Sequence, residues 1–258
     1  MMKTMSVICF IVYSFSLNAQ ESSEEIAKKL ANPIANLISL PIQSNWDLGI
    51  GSSNGTKMTL NIQPVIPITL SANLNLITRW ILPVVSQYDI TGDSTAQAGL
   101  GDGIISAFAS PSKSSLTWGI GPVFLVPTAT DKLLGTGKFG IGPTGVILKQ
   151  AGPWTIGGLA NHLWSVSGDE DRKDVSSTFV NPFVSYTFKS SASVTLNTEY
   201  TYDWKSKKNI LVVQPLLGAI TKLGSQTVSY TIGPRLHFAP ETRPDYGIRA
   251  AITLVFPK

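Results

Sequence analysis

The chain has 258 residues, 43% hydrophobic and 14% charged, where domains bathed in water carry roughly 25% charge. One domain of that length can bury a sizeable core. A formal net charge of +4 and a single cysteine argue against a nucleic-acid surface, a disulfide framework and a cysteine metal site.

Residues 1 to 20 read as a secretory signal peptide: Lys3 supplies the positive start, MSVICFIVYSFSL the apolar stretch, and Leu17-Asn18-Ala19 a small-residue-ended site before Gln20. That stretch is shorter than the roughly 20 residues of a spanning helix. Cys9 falls inside it. No later run is apolar enough for a helical span, the longest being ILVVQPLLGAI with Gln214 inside it. An exported chain of this kind is either a soluble all-β domain or a membrane barrel.

Residues 21 to 36, ESSEEIAKKLANPIAN, predict a helix. Ser22 and Glu25 have capping-box spacing, Glu24 with Lys28 and Glu25 with Lys29 are i,i+4 pairs, Ile26 and Leu30 form an apolar stripe, and Pro33 ends it. Its role is open between a lumen plug and a spacer.

From residue 40 the hydrophobic period changes to two. In TKMTLNIQPVIPITL one face carries Met58, Leu60, Ile62, Pro64, Ile66, Ile68 and Leu70, and the other Lys57, Thr59, Asn61, Gln63 and Thr69. VTLNTEYTYDW and VSYTIGPRLHF repeat the pattern, as does YGIRAAITLVF, with Arg249 opposite an apolar face. Cutting at turn signals gives twelve candidate strands, near 40–50, 56–70, 74–87, 97–110, 116–130, 137–150, 153–166, 175–189, 192–205, 209–221, 226–239 and 245–256. Most reach the roughly 9 to 11 residues that cross a bilayer when tilted.

The connections separate the two classes. Links on one side (YDITGDSTA, DKLLGTG, SGDEDRKDV, PETRPD) are long and polar, whereas SAN, PSKSS, AG, SS and LGSQ on the other are tight. Long loops on one side, short turns on the other and an even strand count predict an outer-membrane barrel with both termini in the periplasm. Trp118, Trp154 and Phe188 then fall near periplasmic turns, and Tyr88, Tyr202 and Trp204 near outer loops, as interfacial girdles. Backbone in hydrocarbon must pair internally, so the last strand is expected to pair with the first. Prolines recur within the strands, three in the settings WGIGPVF, FGIGPTG and YTIGPRL, and predict bulges or kinks there.

The registers turn Lys57, Asn61, Gln63, Arg79, Asn197, Glu199, Asp203, Arg235, His237 and Arg249 inward. These groups suit solute selectivity or a structural charge network filling a closed lumen. An enzyme is the third class: NHLWS places Asn161, His162 and Ser165 close together, but residues three apart on a strand face opposite ways, which does not make a catalytic pair. A receptor built on the outer loops is a further alternative. The acidic cluster in SGDEDRKDV lacks the ligand spacing of an EF-hand, and DKLLGTGK and GLGDG follow no phosphate-loop pattern.

The stretches LANPIANLISLPIQSNWDLGIG, LNIQPVIPITL, GLGDGI, WGIGPVFLVPTATDKLLGTGKFGIGPTGVILKQAGPWTIGGLANHLWS and TLNTEYTYDW resemble a family of bacterial outer-membrane transporters labelled phenol-degradation MetA-pathway protein or neuromedin U. The resemblance implies a barrel and passive uptake of small, hydrophobic or aromatic solutes, and brings no established site residues. The expectation is thus an all-β transmembrane antiparallel barrel over residues 37–258, with outer-membrane lipid, barrel-assembly machinery and a small-molecule solute as partners and no cofactor or metal.

Overall fold

The structure is a computed structural model and describes residues 22–238 and 243–256. The expected signal peptide, part of the PETRPD loop and the two residues after Phe256 lie outside the described residues.

Ser22 caps α1 (Ser23–Leu30): its side chain accepts from the Glu25 backbone N–H while the Glu25 carboxylate accepts from the Ser22 backbone N–H. Glu24 and Glu25 in the first turn and Lys28 and Lys29 in the last complement the helix dipole, and Lys28 Nζ meets Glu24 at 2.8 Å. The helix is shorter than the sequence predicts. It ends at Leu30, because Ala31 caps it and the Asn32 side chain accepts from the Ile34 backbone N–H, folding 31–36 into turns ahead of the first strand.

Fourteen strands follow: β1 (Ile38–Ile50), β2 (Gly55–Ile62), β3 (Val65–Ser71), β4 (Leu74–Tyr88), β5 (Ala96–Leu100), β6 (Gly103–Pro111), β7 (Thr117–Val126), β8 (Lys138–Ala151), β9 (Trp154–Gly168), β10 (Ser176–Thr187), β11 (Ser193–Asp203), β12 (Lys208–Leu223), β13 (Gln226–His237) and β14 (Tyr246–Phe256). They make twelve spans. β2 and β3 are one span broken at Gln63 and Pro64, both lying between β1 and β4, and β5 and β6 are one span broken at Gly101 and Asp102. Pro64 has no N–H, but its carbonyl still accepts from Trp80 at 3.1 Å.

Each span pairs antiparallel with the next, and β14 pairs with β1 from Ile38 opposite Phe256 to Leu48 opposite Tyr246. The sheet closes on itself, which removes its edges. Large apolar side chains cover its outside: Trp46, Ile68, Ile120, Ile147, Leu217 and Ile232 are each between 45% and 60% exposed. A band of that kind around a whole barrel matches a hydrocarbon solvent and is far larger than the apolar patches of water-soluble monomers. Ring clusters mark both rims, with Trp154, Tyr186 and Phe188 edge-on near the short turns and Tyr202 with Trp204 near the long loops.

The prolines act differently from the bulges expected of them. The register is the same on either side of Pro122, Pro143, Pro182, Pro215 and Pro234, and the irregularities sit elsewhere, between Leu48 and Ile50, Thr69 and Ser71, and Phe139 and Gly140. Pro122 and Pro143 stand directly opposite each other. In each Ile-Gly-Pro setting the glycine lets two backbones close up: a Cβ on Gly121, Gly142 or Gly233 would overlap the carbonyl oxygen of Ala107, His162 or Pro215 respectively.

Candidate functional site

Alternation along the strands fixes what the barrel encloses. Residues from β1, β2, β4, β11, β13 and β14 supply a polar half of the inner wall, including Asn45, Asn61, Gln63, Arg79, Glu199, Arg235 and Arg249. Residues from β6, β9 and β10 supply an uncharged half that carries the larger apolar side chains, Ile104, Leu159, Leu163, Phe179 and Phe183, among Ser106, Asn161, Ser177, Asn181 and Ser185. Between them lies a cavity of about 600 Å³. Its floor is the end of α1 and the segment after it, where Lys29 to Pro33, Ala35 and Leu37 reach into the lumen.

That segment is seated by packing. Ile34 is 2% exposed among Val65, Ile77, Phe108, Val146 and Leu148, all pointing inward. Ile26, Ala35 and Leu37 pack with Val255 in a second cluster, and Gln150 donates to the Lys28 carbonyl at 2.7 Å. The helix therefore lies at the end of the barrel that carries the short turns.

Charged groups on the polar wall form two linked pairs. Arg235 Nε donates to Asp47 Oδ1 at 2.9 Å, and His237 Nε2 stands 2.9 Å from the same oxygen. Arg249 donates through both terminal nitrogens to Glu199, at 2.8 and 3.3 Å, while its Nε donates to Asn45 at 2.8 Å. Arg235 Nη1 lies 3.8 Å from Glu199 Oε2 and joins the pairs. Arg79 differs: it donates to Gln63 Oε1 at 3.0 Å and, among the described residues, has no carboxylate within ion-pair distance.

The closed, lipid-matched barrel and its seated inner segment allow comparison with known folds. No family model and no curated protein matches the chain. Among solved structures, an outer membrane channel from Pseudomonas putida F1 superposes with a TM-score of 0.67 at 13% identity, over 85% of this chain and 96% of that one. The chain shares that channel's fold. The β domain of the Bordetella autotransporter BrkA gives a TM-score of 0.47 at 9% identity, over 86% of this chain and all of that one.

Of the ten residues singled out in the sequence, Asn61, Gln63, Arg79, Asn197, Glu199, Arg235 and Arg249 line the cavity. Lys57 stands opposite Asp47 in the β1–β2 ladder, and His237 contacts the same Asp47, so both belong to the charge network beside the cavity. Asp203 stands on the same face at the loop end, opposite the cavity-lining Ser177. At the last residue of β11 its carboxylate folds back on the turn, accepting from Ser206 Oγ at 2.6 Å and from the Lys205 backbone at 2.8 Å. A strand-end carboxylate finds those nearby turn donors sooner than a distant lumen partner.

Asp47 and Asn45 carry much of the network, yet the reading of residues 40–50 did not single them out. The signal was present in the parity, since Leu40, Ile42, Trp46 and Leu48 turn the intervening residues inward. Gln214, fully buried on β12 beside Glu199, was also missed. His162 and Ser165 sit on opposite faces of the sheet: the imidazole is on the outside beside Trp164, bonded to Thr178 at 2.7 Å, and the Ser165 hydroxyl serves Asp174 and the Val175 backbone.

The loop end is tied across the opening. Arg172 donates to the carbonyls of Lys132, Gly135 and Thr136, and Asp102 accepts from the Thr136 backbone and hydroxyl, so residues 127–137 are held against their neighbours. Asp174, in the loop after β9, is held below its ordinary value of 3.8 by hydrogen bonds from Ser165 and Lys138 and by the charges of Lys138 and Lys205.

Proposed function

We propose that the protein is a bacterial outer-membrane channel for passive uptake of small solutes with an apolar part. Its termini face the periplasm, and residues 21–36 are a plug at the periplasmic mouth. The observation that carries this reading is a closed barrel, with large apolar side chains over its outer face, around a cavity with a charged wall and an uncharged wall that carries its larger apolar side chains. The shared fold with a Pseudomonas putida outer membrane channel supports it. The resemblance to the phenol-degradation MetA-pathway family supports small aromatic cargo, and β14, apolar on alternate residues up to Phe256, suits the barrel-assembly machinery.

Reconstitution in planar bilayers and liposomes tests the reading. The full mature chain is expected to pass small solutes slowly with low conductance, and a chain lacking residues 21–36 to conduct more. If both forms stay silent and neither makes liposomes permeable, the protein is a structural or receptor barrel instead.

A further inference from the structure

We propose that the lumen holds a binding site for the head of an amphipathic carboxylate, with Arg79 as its anion receptor and the β6–β10 wall as the seat of its apolar body. The proposal rests on the channel reading and names the chemical class of its solute.

The charges of the inner wall decide the sign. Asp47 takes Arg235 and His237, Glu199 takes Arg249, and each carboxylate is occupied by at least one bidentate or doubly shared contact. Among the described residues Arg79 hydrogen-bonds the neutral Gln63 and has no carboxylate within ion-pair distance, and a guanidinium with five donors cannot shed its proton to relieve the imbalance. A half-buried, cavity-lining cation favours binding an anion from outside when the nearest carboxylate to influence it, Glu199, acts from beyond ion-pair distance and is already committed to Arg249. Among the described residues Arg235 Nη1 also has no hydrogen-bond acceptor, its ion-pair partner Glu199 Oε2 being 3.8 Å away, in a side chain that lines the same cavity.

The shape decides the rest of the solute. Two pairs along the ladder from Arg79, Ile81 faces Ile104, and across the lumen Leu163, Phe179 and Phe183 present hydrocarbon to the same cavity. An inorganic anion would leave that wall wet, and a plain hydrocarbon would leave Arg79 unmatched. A planar carboxylate accepts two parallel hydrogen bonds from a guanidinium, and its aryl or alkyl tail removes apolar surface from water. About 600 Å³ holds one such molecule of modest size.

Equilibrium dialysis with the full mature chain in lipid nanodiscs tests this, with empty nanodiscs subtracting partition into lipid. The probes are 4-phenylbutyrate, 4-phenylbutanol and 4-phenylbutylamine, which share a tail and differ in head charge. The wild type is expected to bind the carboxylate about tenfold or more tightly than the alcohol, and the amine least, as a charge-assisted hydrogen bond implies. Arg79→Gln is expected to erase that ratio and Arg79→Lys to keep part of it, with folding of each variant checked by heat-modifiable mobility. Equal binding of the three probes by the wild type, an unchanged ratio in Arg79→Gln, or full displacement of 4-phenylbutyrate by equimolar acetate overturns the proposal. The two readings fail separately: a conducting protein that ignores head charge keeps the channel and loses this site, while a silent protein with the ratio intact loses the channel.

Discussion

Ile34 offers the sharpest test of the inner segment. Its side chain is 2% exposed, inserted among the inward faces of β3, β4, β6 and β8, and its terminal methyl lies where a Cβ on Gly119 would come within 3.1 Å. Truncation to alanine removes buried methyl and methylene groups without touching the wall itself. Loss of a well-packed isoleucine costs about 3 kcal/mol. Since about 1.4 kcal/mol is a factor of ten, the ratio of docked to undocked segment should fall roughly a hundredfold. Two assays read it. In single-channel recordings Ile34→Ala should show more frequent transitions to a larger conductance. In proteoliposomes trypsin should cut faster after Lys28 and Lys29, which the docked segment shields. Identical conductance histograms together with an unchanged cleavage rate would mean that packing of Ile34 does not hold the segment, and the plug reading would fall with it.

The lipid-facing surface is tested by Ile232→Arg near the middle of β13, where Ile232 is 57% exposed; urea titration from vesicles should show a loss of about 2–4 kcal/mol, whereas a cost near zero would mean that water meets this face. Glu199→Gln leaves Arg249 and Arg235 less neutralised, so reversal potentials should move toward anions, and unchanged selectivity would assign the network a structural role only. Asp174 has a lowered folded value, so its contacts with Ser165 and Lys138 are present above the ordinary carboxylate range and are lost as pH falls through that lowered value; Asp174→Asn should reproduce at neutral pH the loop mobility seen by hydrogen exchange in acid. Arg172→Ala frees three loop carbonyls and should increase gating noise on the loop side, and a quiet channel would show that other contacts hold residues 127–137.

How much of this was legible beforehand follows from what each feature depends on. Side-chain direction in a strand depends only on parity, so Lys57, Asn61, Gln63, Arg79, Asn197, Glu199, Arg235 and Arg249 could be placed inward from the string of letters. Connection length sets which strands are neighbours, and that gave twelve spans in order. The capping box needs only residues three apart, and Ser22 with Glu25 forms it. The bulges expected at the prolines are not there as register shifts, and how close the next strand's backbone comes at each Ile-Gly-Pro is a property of two strands at once. Asp203 keeps the inward parity opposite Ser177, but which donors its carboxylate meets at the strand end is set by the turn.

By itself, then, the alternating chain determined a wall, its two faces and the order of its spans, since those are local or nearest-neighbour properties. Only the closed barrel decided the chemistry inside. Closure sets β14 beside β1 and brings Arg235 to Asp47 across 188 residues and Arg249 to Asn45 across 204. It also leaves Arg79, among the described residues, with no carboxylate within ion-pair distance and seats Ile34 in the lumen. Which charges meet depends on shear and curvature around the whole ring, which no single strand encodes.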